Sequence, residues 1–324
     1  MQTTVVGNYP KIPNRPRHAR LRMAINRRDR GEMRNEELAR IEDEVTVEVM
    51  EEQVEAGVDL VTDGQVRWDD DQTYVMLGLQ GVEIGSLERY LDTNTYYRQP
   101  EITGPVAWQA PILVRDFQFA QKTTARPVKA VITGPYTLAA LSLDKHYGSR
   151  EKLALALAAE LRHEAEALVD AGAQYIQVND PMIVHNKGDI AIAVKAITQL
   201  IDGLRAETAV YTWFRDAGGI LPALLESPVT TIGLDFVHGP GNWEALVAAP
   251  FPKKLGFGIV DGRNTRLESP GQVAAAVERV SGYVPRERLY VNPSCGLEYL
   301  PRETAFQKLR MMTNGARKAE GVPA

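Results

Sequence analysis

Apolar residues in this chain are gathered into short runs, not one long block. Eight runs, rich in β-branched residues, stand at residues 3–7, 58–62, 128–133, 174–179, 209–214, 231–237, 254–261 and 289–294. Most are continuous, not alternating, which predicts strands covered on both faces, as in a parallel sheet. Between them the apolar period becomes helical. Leu38, Ile41, Val45 and Val49 share one helical face, and Gly57 closes that segment before the next run. Leu153, Leu157, Leu161 and Leu168 repeat the pattern between Ser149, a residue suited to cap a helix, and Gly172. Segments 190–206, 218–226, 242–249, 270–282 and 302–317 continue the alternation. Eight strand-then-helix steps predict an α/β fold, a (β/α)8 TIM barrel with right-handed crossovers, spanning 1–324 as one catalytic domain. Residues 64–110 break the rhythm. They are polar and aromatic, with Trp68, Tyr90, Tyr96, Tyr97 and Trp108, and are expected to form a long hairpin-like insertion after strand two, a candidate lid.

Composition narrows the partners. Hydrophobic residues make up 44% of the 324, enough for a large core, and a net charge of -5 offers neither a nucleic acid nor a membrane surface a counter-charge. The arginine-dense stretch Arg15 to Arg34 also holds Asp29 and Glu32, and reads as a solvated helical face. Cys295 is the single cysteine, so no internal disulfide forms and a reducing, cytoplasmic compartment is expected. The first residues lack the order of a signal peptide, and no run of apolar residues is long enough to span a bilayer.

A TIM barrel places its chemistry at the C-terminal ends of its strands. Those ends bring up Gly7-Asn8-Tyr9, Asp63-Gly64-Gln65, Thr133 to Tyr136, Asn179-Asp180-Pro181, Tyr211 to Phe214, Asp235 to His238, Asp261-Gly262-Arg263 and Asn292 to Gly296. A ring of amides, carboxylates and one thiol suits a small polar substrate, although each Asp or Asn alone reads equally well as a helix cap. His185 follows the Asn179-Asp180-Pro181 turn and either reaches the pocket or lies at the surface; His146 and His163 read as loop and surface side chains.

Five segments carry a family resemblance: Thr3 to Pro10, Val58 to Gln65, Thr133 to Thr137, Gln177 to Pro181 and Val291 to Leu297. Together they resemble the C-terminal catalytic barrel of cobalamin-independent methionine synthase, in a stand-alone core form, and Asn292-Pro293-Ser294-Cys295-Gly296 is the most specific of them. The resemblance implies methyl transfer to a small thiol such as homocysteine, from a folate or from methylcobalamin, with a corrinoid protein as one possible donor partner. It also implies zinc, which would hold the thiol as thiolate. Cys295 matches one ligand, and Asp235 stands where a glutamate ligand is expected. The family's His-x-Cys pair falls on Thr212 and Phe214, neither a zinc ligand, so the residual metal set is Cys295, Asp235 and His238. Two acids that receive the homocysteine ammonium group fall on Gln65 and Asn179.

The candidate site therefore comprises Asp180, Asp235 and Cys295 as catalytic residues and Gly7, Asn8, Gln65, Asn179, Tyr211, Thr212 and Phe214 as substrate-binding residues. Beside the methyltransferase stand two alternatives. One is a metal-free enzyme on the same scaffold, with carbon–sulfur or decarboxylase-like chemistry on another small substrate. The other is a non-catalytic ligand-binding homologue.

Overall fold

The computed structural model describes residues 1–13, 19–248 and 250–322. The start of the arginine-dense stretch and the last residue of the 242–249 segment lie outside them; later in that stretch Arg20–Asp29 forms a helix. The strands, in chain order, are β1 Gln2–Thr3, β2 Leu79–Arg89, β3 Tyr96–Trp108, β4 Ala130–Thr133, β5 Leu143–Asp144, β6 Tyr175–Asn179, β7 Glu207–Tyr211, β8 Thr231–Asp235, β9 Lys254–Val260 and β10 Leu289–Pro293. The fold is mixed α/β. Its residues gather into two compact units, Met1–Arg67 with Gln118–Val128 and Phe257–Ala324, and Trp68–Phe117 with Lys129–Gly256.

In the first unit β1 runs parallel to β10, with Gln2 opposite Tyr290 and Thr3 opposite Val291. The expected strand at 58–62 shrinks to isolated parallel bridges, Thr4 to Leu60 and Val61 to Val128. Three long helices cover these strands. Asn35–Glu55 buries Leu38, Val45 and Val49 as its period predicts, and Gly57 follows it with φ +88°. Pro270–Ser281 opens with a full capping box, Ser269 accepting from Gln272 N while Gln272 reaches back, and Arg302–Ala319 packs beside it.

In the second unit β4, β6, β7 and β8 pair in parallel in that order, all but the first residues of β6 and β7 buried. Helix Arg150–Asp170 buries Leu153, Leu157, Leu161 and Leu168 completely; Ser149 caps it through Lys152 N, and Gly172 leaves it at φ +99°. Residues 64–110 hold the short helix Thr73–Leu77 and the antiparallel pair β2–β3, whose register slips twice. A buried carboxylate ties the end of this pair down. Glu164, on the long helix, accepts from Trp108 Nε1, Ile112 N and Leu113 N at 2.7, 2.8 and 2.7 Å. Trp108 is thus a structural donor. Trp68 is 3% exposed and stacks on Tyr74 with ring centroids 5.3 Å apart. The helices Thr73–Leu77, Val114–Thr123 and Pro135–Leu141 were not foreshadowed by apolar period; they are short, and two of them open on turns.

Candidate functional site

The first unit assembles a turn around residues 62–65. Thr62 Oγ1 donates to Gly7 O at 2.9 Å and accepts from Gly64 N, while Gln53 brackets the Thr62 peptide with both ends of its amide. Tyr9 N returns to Gly64 O at 3.1 Å, so Gly7, Asn8 and Gln65 share one backbone framework. Asn8 O also accepts from Leu297 N, two residues beyond Cys295. At the centre of this framework Gln65 is 2% exposed, and neither end of its side-chain amide has a partner. Its φ is +53°, a region that a residue with a Cβ seldom adopts. A buried amide left unsatisfied costs roughly 1–3 kcal/mol per lost partner, and strain of this kind gathers where structure serves a ligand. Cys295 is fully buried. Its thiol donates to Gly296 O at 3.2 Å and abuts Gly262, where any Cβ would sit 2.6 Å from the sulfur.

The second unit brings together Asn179, Asp180, Tyr211, Thr212, Phe214, Asp235 and His238. β7 stops at Tyr211 although the apolar run continues to Phe214. The reason is Asp235 at the end of β8. Its Oδ2 accepts Phe214 N at 2.9 Å, Phe214 turns to φ +68°, and Thr212 N stays with Gly233 O. Asp235 Oδ1 accepts Val237 N and His238 N, both at 2.8 Å, and Oδ2 lies 3.2 Å from His238 Nδ1. Asn242, a residue absent from the sequence-derived set, locks this turn by bonding Asp235 O and Ala217 N. The rings of Trp213, Phe214 and His238 follow one another edge to face at 6.4 and 5.7 Å.

Asp180 has a different setting. Its carboxylate caps the helix Pro135–Leu141, with Oδ1 taking Thr137 N and Thr137 Oγ1 at 2.7 and 2.6 Å and Oδ2 taking Tyr136 N at 3.3 Å. Gly134 is required there, since a Cβ would come 2.2 Å from the carboxylate carbon. Complete burial pushes Asp180 up to about 7, against the pull of those donors. Asn179 Oδ1 accepts from Gln177 Nε2 at 2.6 Å, and Asn179 O accepts Gly134 N. Tyr211 is buried with Lys129 Nζ 5.2 Å from its ring centre, and desolvation drives Lys129 down to about 7. Lys129 did not stand out in the sequence, because its chemistry depends on burial and not on a motif.

The donors in place do not make a zinc site. The carboxylate of Asp235 is already occupied by three backbone N–H groups and by His238, and Thr212 and Phe214 supply no ligand. Among the described residues no three His, Cys, Asp or Glu side chains are grouped as metal ligands would be. Nor is any described helix long and apolar enough to cross a membrane.

Comparison with known proteins agrees with the motifs. Residues 1–318 match the family model described as cobalamin-independent synthase, catalytic domain. The methionine synthase of Saccharolobus solfataricus is 32% identical over 319 residues, covering 98% of this chain and 94% of that protein. That of Sulfurisphaera tokodaii is 34% identical, covering 98% and 92%. Among solved structures, a B12-independent methionine synthase from Shewanella, in complex with selenomethionine, superposes with a TM-score of 0.84 at 25% identity, covering 99% of this chain and 98% of that one. The barrel-like core expected from the strand–helix rhythm is the one this relative has. On these grounds the chain belongs to the cobalamin-independent methionine synthase family, as its catalytic domain.

Proposed function

We propose that this protein is a methyltransferase of the methionine-synthase type, which moves a methyl group from a folate or a methylated corrinoid onto a small thiol such as homocysteine. The observation that carries the reading is whole-chain membership of the family together with Gln65, a buried residue at φ +53° in the turn after Thr62 whose side-chain amide has no partner. Gln65 binds the polar head of the substrate, and Gly7 and Asn8 hold the Gln65 turn. In the second unit Asp235 fixes the Thr212–Phe214 turn, and Asp180 holds the Gly134–Thr137 turn from beneath. Both are positioning carboxylates. Tyr211 and Phe214 contribute apolar wall, and Cys295 lies closed behind its strand end.

A second reading is favoured by the replacement at 65. An amide there suits an acceptor that carries no ammonium group, since an amide compensates a buried cation less well than a carboxylate. One assay separates the two. Purified protein is given homocysteine or 3-mercaptopropionate, each with methyl-tetrahydrofolate or methylcobalamin, before and after exhaustive dialysis against a chelator, and methylated thiol is counted. Methionine from homocysteine supports the first reading. Methylation of 3-mercaptopropionate alone supports the second. Methylation of neither thiol by either donor would sink both.

A further inference from the structure

The resemblance places the family's metal-binding pair on the turn after β7, and that turn is closed by the protein's own backbone. Asp235, at the end of β8, has no exposed surface, and its carboxylate is met from two sides. Oδ1 takes Val237 N and His238 N, each at 2.8 Å; Oδ2 takes Phe214 N at 2.9 Å and lies 3.2 Å from His238 Nδ1. A carboxylate offers about four lone-pair positions, so these contacts fill it. The clamp is itself held. Asn242 Nδ2 donates to Asp235 O at 2.7 Å, and Asn242 Oδ1 accepts from Ala217 N at 2.8 Å, which joins the β7 and β8 turns a second time. At Gly239 the two turns approach backbone to backbone: a Cβ there would come 2.7 Å from the carbonyl oxygens of Arg215 and Asp235. Beyond them Lys187 Nζ holds Asp216 Oδ1 at 2.9 Å and Gly218 O at 3.1 Å.

A metal reaches Asp235 only by displacing these donors. Each displaced N–H loses its partner, that of Phe214 in the buried interior. Nothing at 212 or 214 offsets the loss, since Thr212 Oγ1 is directed to Gly233 O and a phenylalanine has no ligand atom to give. We infer that the backbone of this protein fills the family's metal position, with Asp235 serving as a clamp and not a ligand, and that the acceptor is one whose nucleophile ionises near neutral pH without a metal, a selenol or an acidic thiol. The closed position stands on geometry alone; the acceptor class rests also on the methyl-transfer reading. An ordinary thiol such as that of cysteine is only a few per cent thiolate at pH 7. Zinc removes that handicap by deprotonating the thiol it binds, and a closed position leaves the handicap in force. A selenol escapes it because it is the stronger acid. In the transfer, a lone pair of the anion forms the bond to the methyl carbon, and the bond from that carbon to the donor breaks with its electron pair left on the donor.

Metal binding and methyl transfer are read separately, on the wild-type chain. Zinc chloride is added to chelator-dialysed protein while the backbone amide resonances of Phe214, Val237 and His238 are followed. The closed position expects these three to stay in place in excess zinc. A saturable shift of the three together, complete at one zinc per chain, would overturn it. For the acceptor, homocysteine and 3-mercaptopropionate are each compared with the corresponding selenol, as kcat/KM against pH in the chelator-dialysed protein. The rising limb is expected to move to lower pH for the selenol by the difference between the pKa values of the two free acceptors. A limb that stays in place for both would put the titration on a protein group and overturn the acceptor class. Failure to methylate any thiol or selenol removes the functional reading and the acceptor class with it, while unmoved amides in the same protein keep the position closed.

Discussion

Asp180 follows β6 and Asp235 ends β8 in the same unit, both with no exposed surface, and they are held in different ways. Asp180 meets only neutral donors, two backbone N–H groups and one hydroxyl, all from a single helix start. Asp235 meets three backbone N–H groups from two turns and a histidine ring that retains some exposure. The first arrangement rigidifies one turn around a carboxyl that burial makes reluctant to ionise. The second couples the β7 and β8 turns through an acid with a titratable neighbour. Identical side chains at equivalent strand ends thus divide into a local cap and a clamp between loops, and it is the surrounding donors, not the residue type, that assign the role.

The largest effect that would break this contrast is expected from Asp235→Ala. It strands the N–H groups of Phe214, Val237 and His238, and should cost about 3 kcal/mol or more in denaturant unfolding. A loss under about 1 kcal/mol would mean that the two turns hold without their clamp. Asp180→Ala should cost less, about 2 kcal/mol, since its donors belong to one helix start. Asp180→Asn sharpens the comparison through pH. A carboxyl raised from 3.8 to about 7 binds more protons folded than unfolded across that window, so wild-type stability falls as pH climbs through it. The asparagine variant should lose this slope. An unchanged slope between those limits would place the titration on another group.

Lys129 tests burial of the opposite charge. Its pKa falls from 10.5 to about 7, so between those values the unfolded chain holds the extra proton and stability rises with pH. Lys129→Met should therefore stabilise by about 1 kcal/mol at or below pH 7, with the gain fading toward 10.5. A gain that is flat with pH would show that packing against Tyr211, and not charge, is what the substitution changes.

The sequence is legible where pattern and energy agree. The leucine face of Arg150–Asp170, its Ser149 cap and its Gly172 exit were all written in residue spacing. The strands came through within a few residues, for continuous apolar runs mean little other than buried strands. The failures have particular causes. The run at 209–214 overshoots β7 because a distant carboxylate captures Phe214 N and turns it to positive φ, which no local propensity foretells. The strand at 58–62 keeps only bridges. In the candidate site, Asp180, read from sequence for acid–base work, holds the start of the helix Pro135–Leu141, for which Gly134-Pro135 was the available signal.

Neither compact unit is drawn from one stretch of chain. The polypeptide passes between them at residues 67–68, 117–118, 128–129 and 256–257. On a ribosome, the unit built on β1 waits for β10 and the helix Arg302–Ala319, made some 300 residues later, before β1 can find its partner. Such distant pairing slows folding and prolongs the exposure of unpaired edges. A nascent chain halted before residue 257 already holds all of the second unit's own residues, while the first unit is reduced to pieces. Synthesis itself therefore sets an order of maturation, in which the Asp235 clamp can close before β10 and the Cys295 that follows it exist.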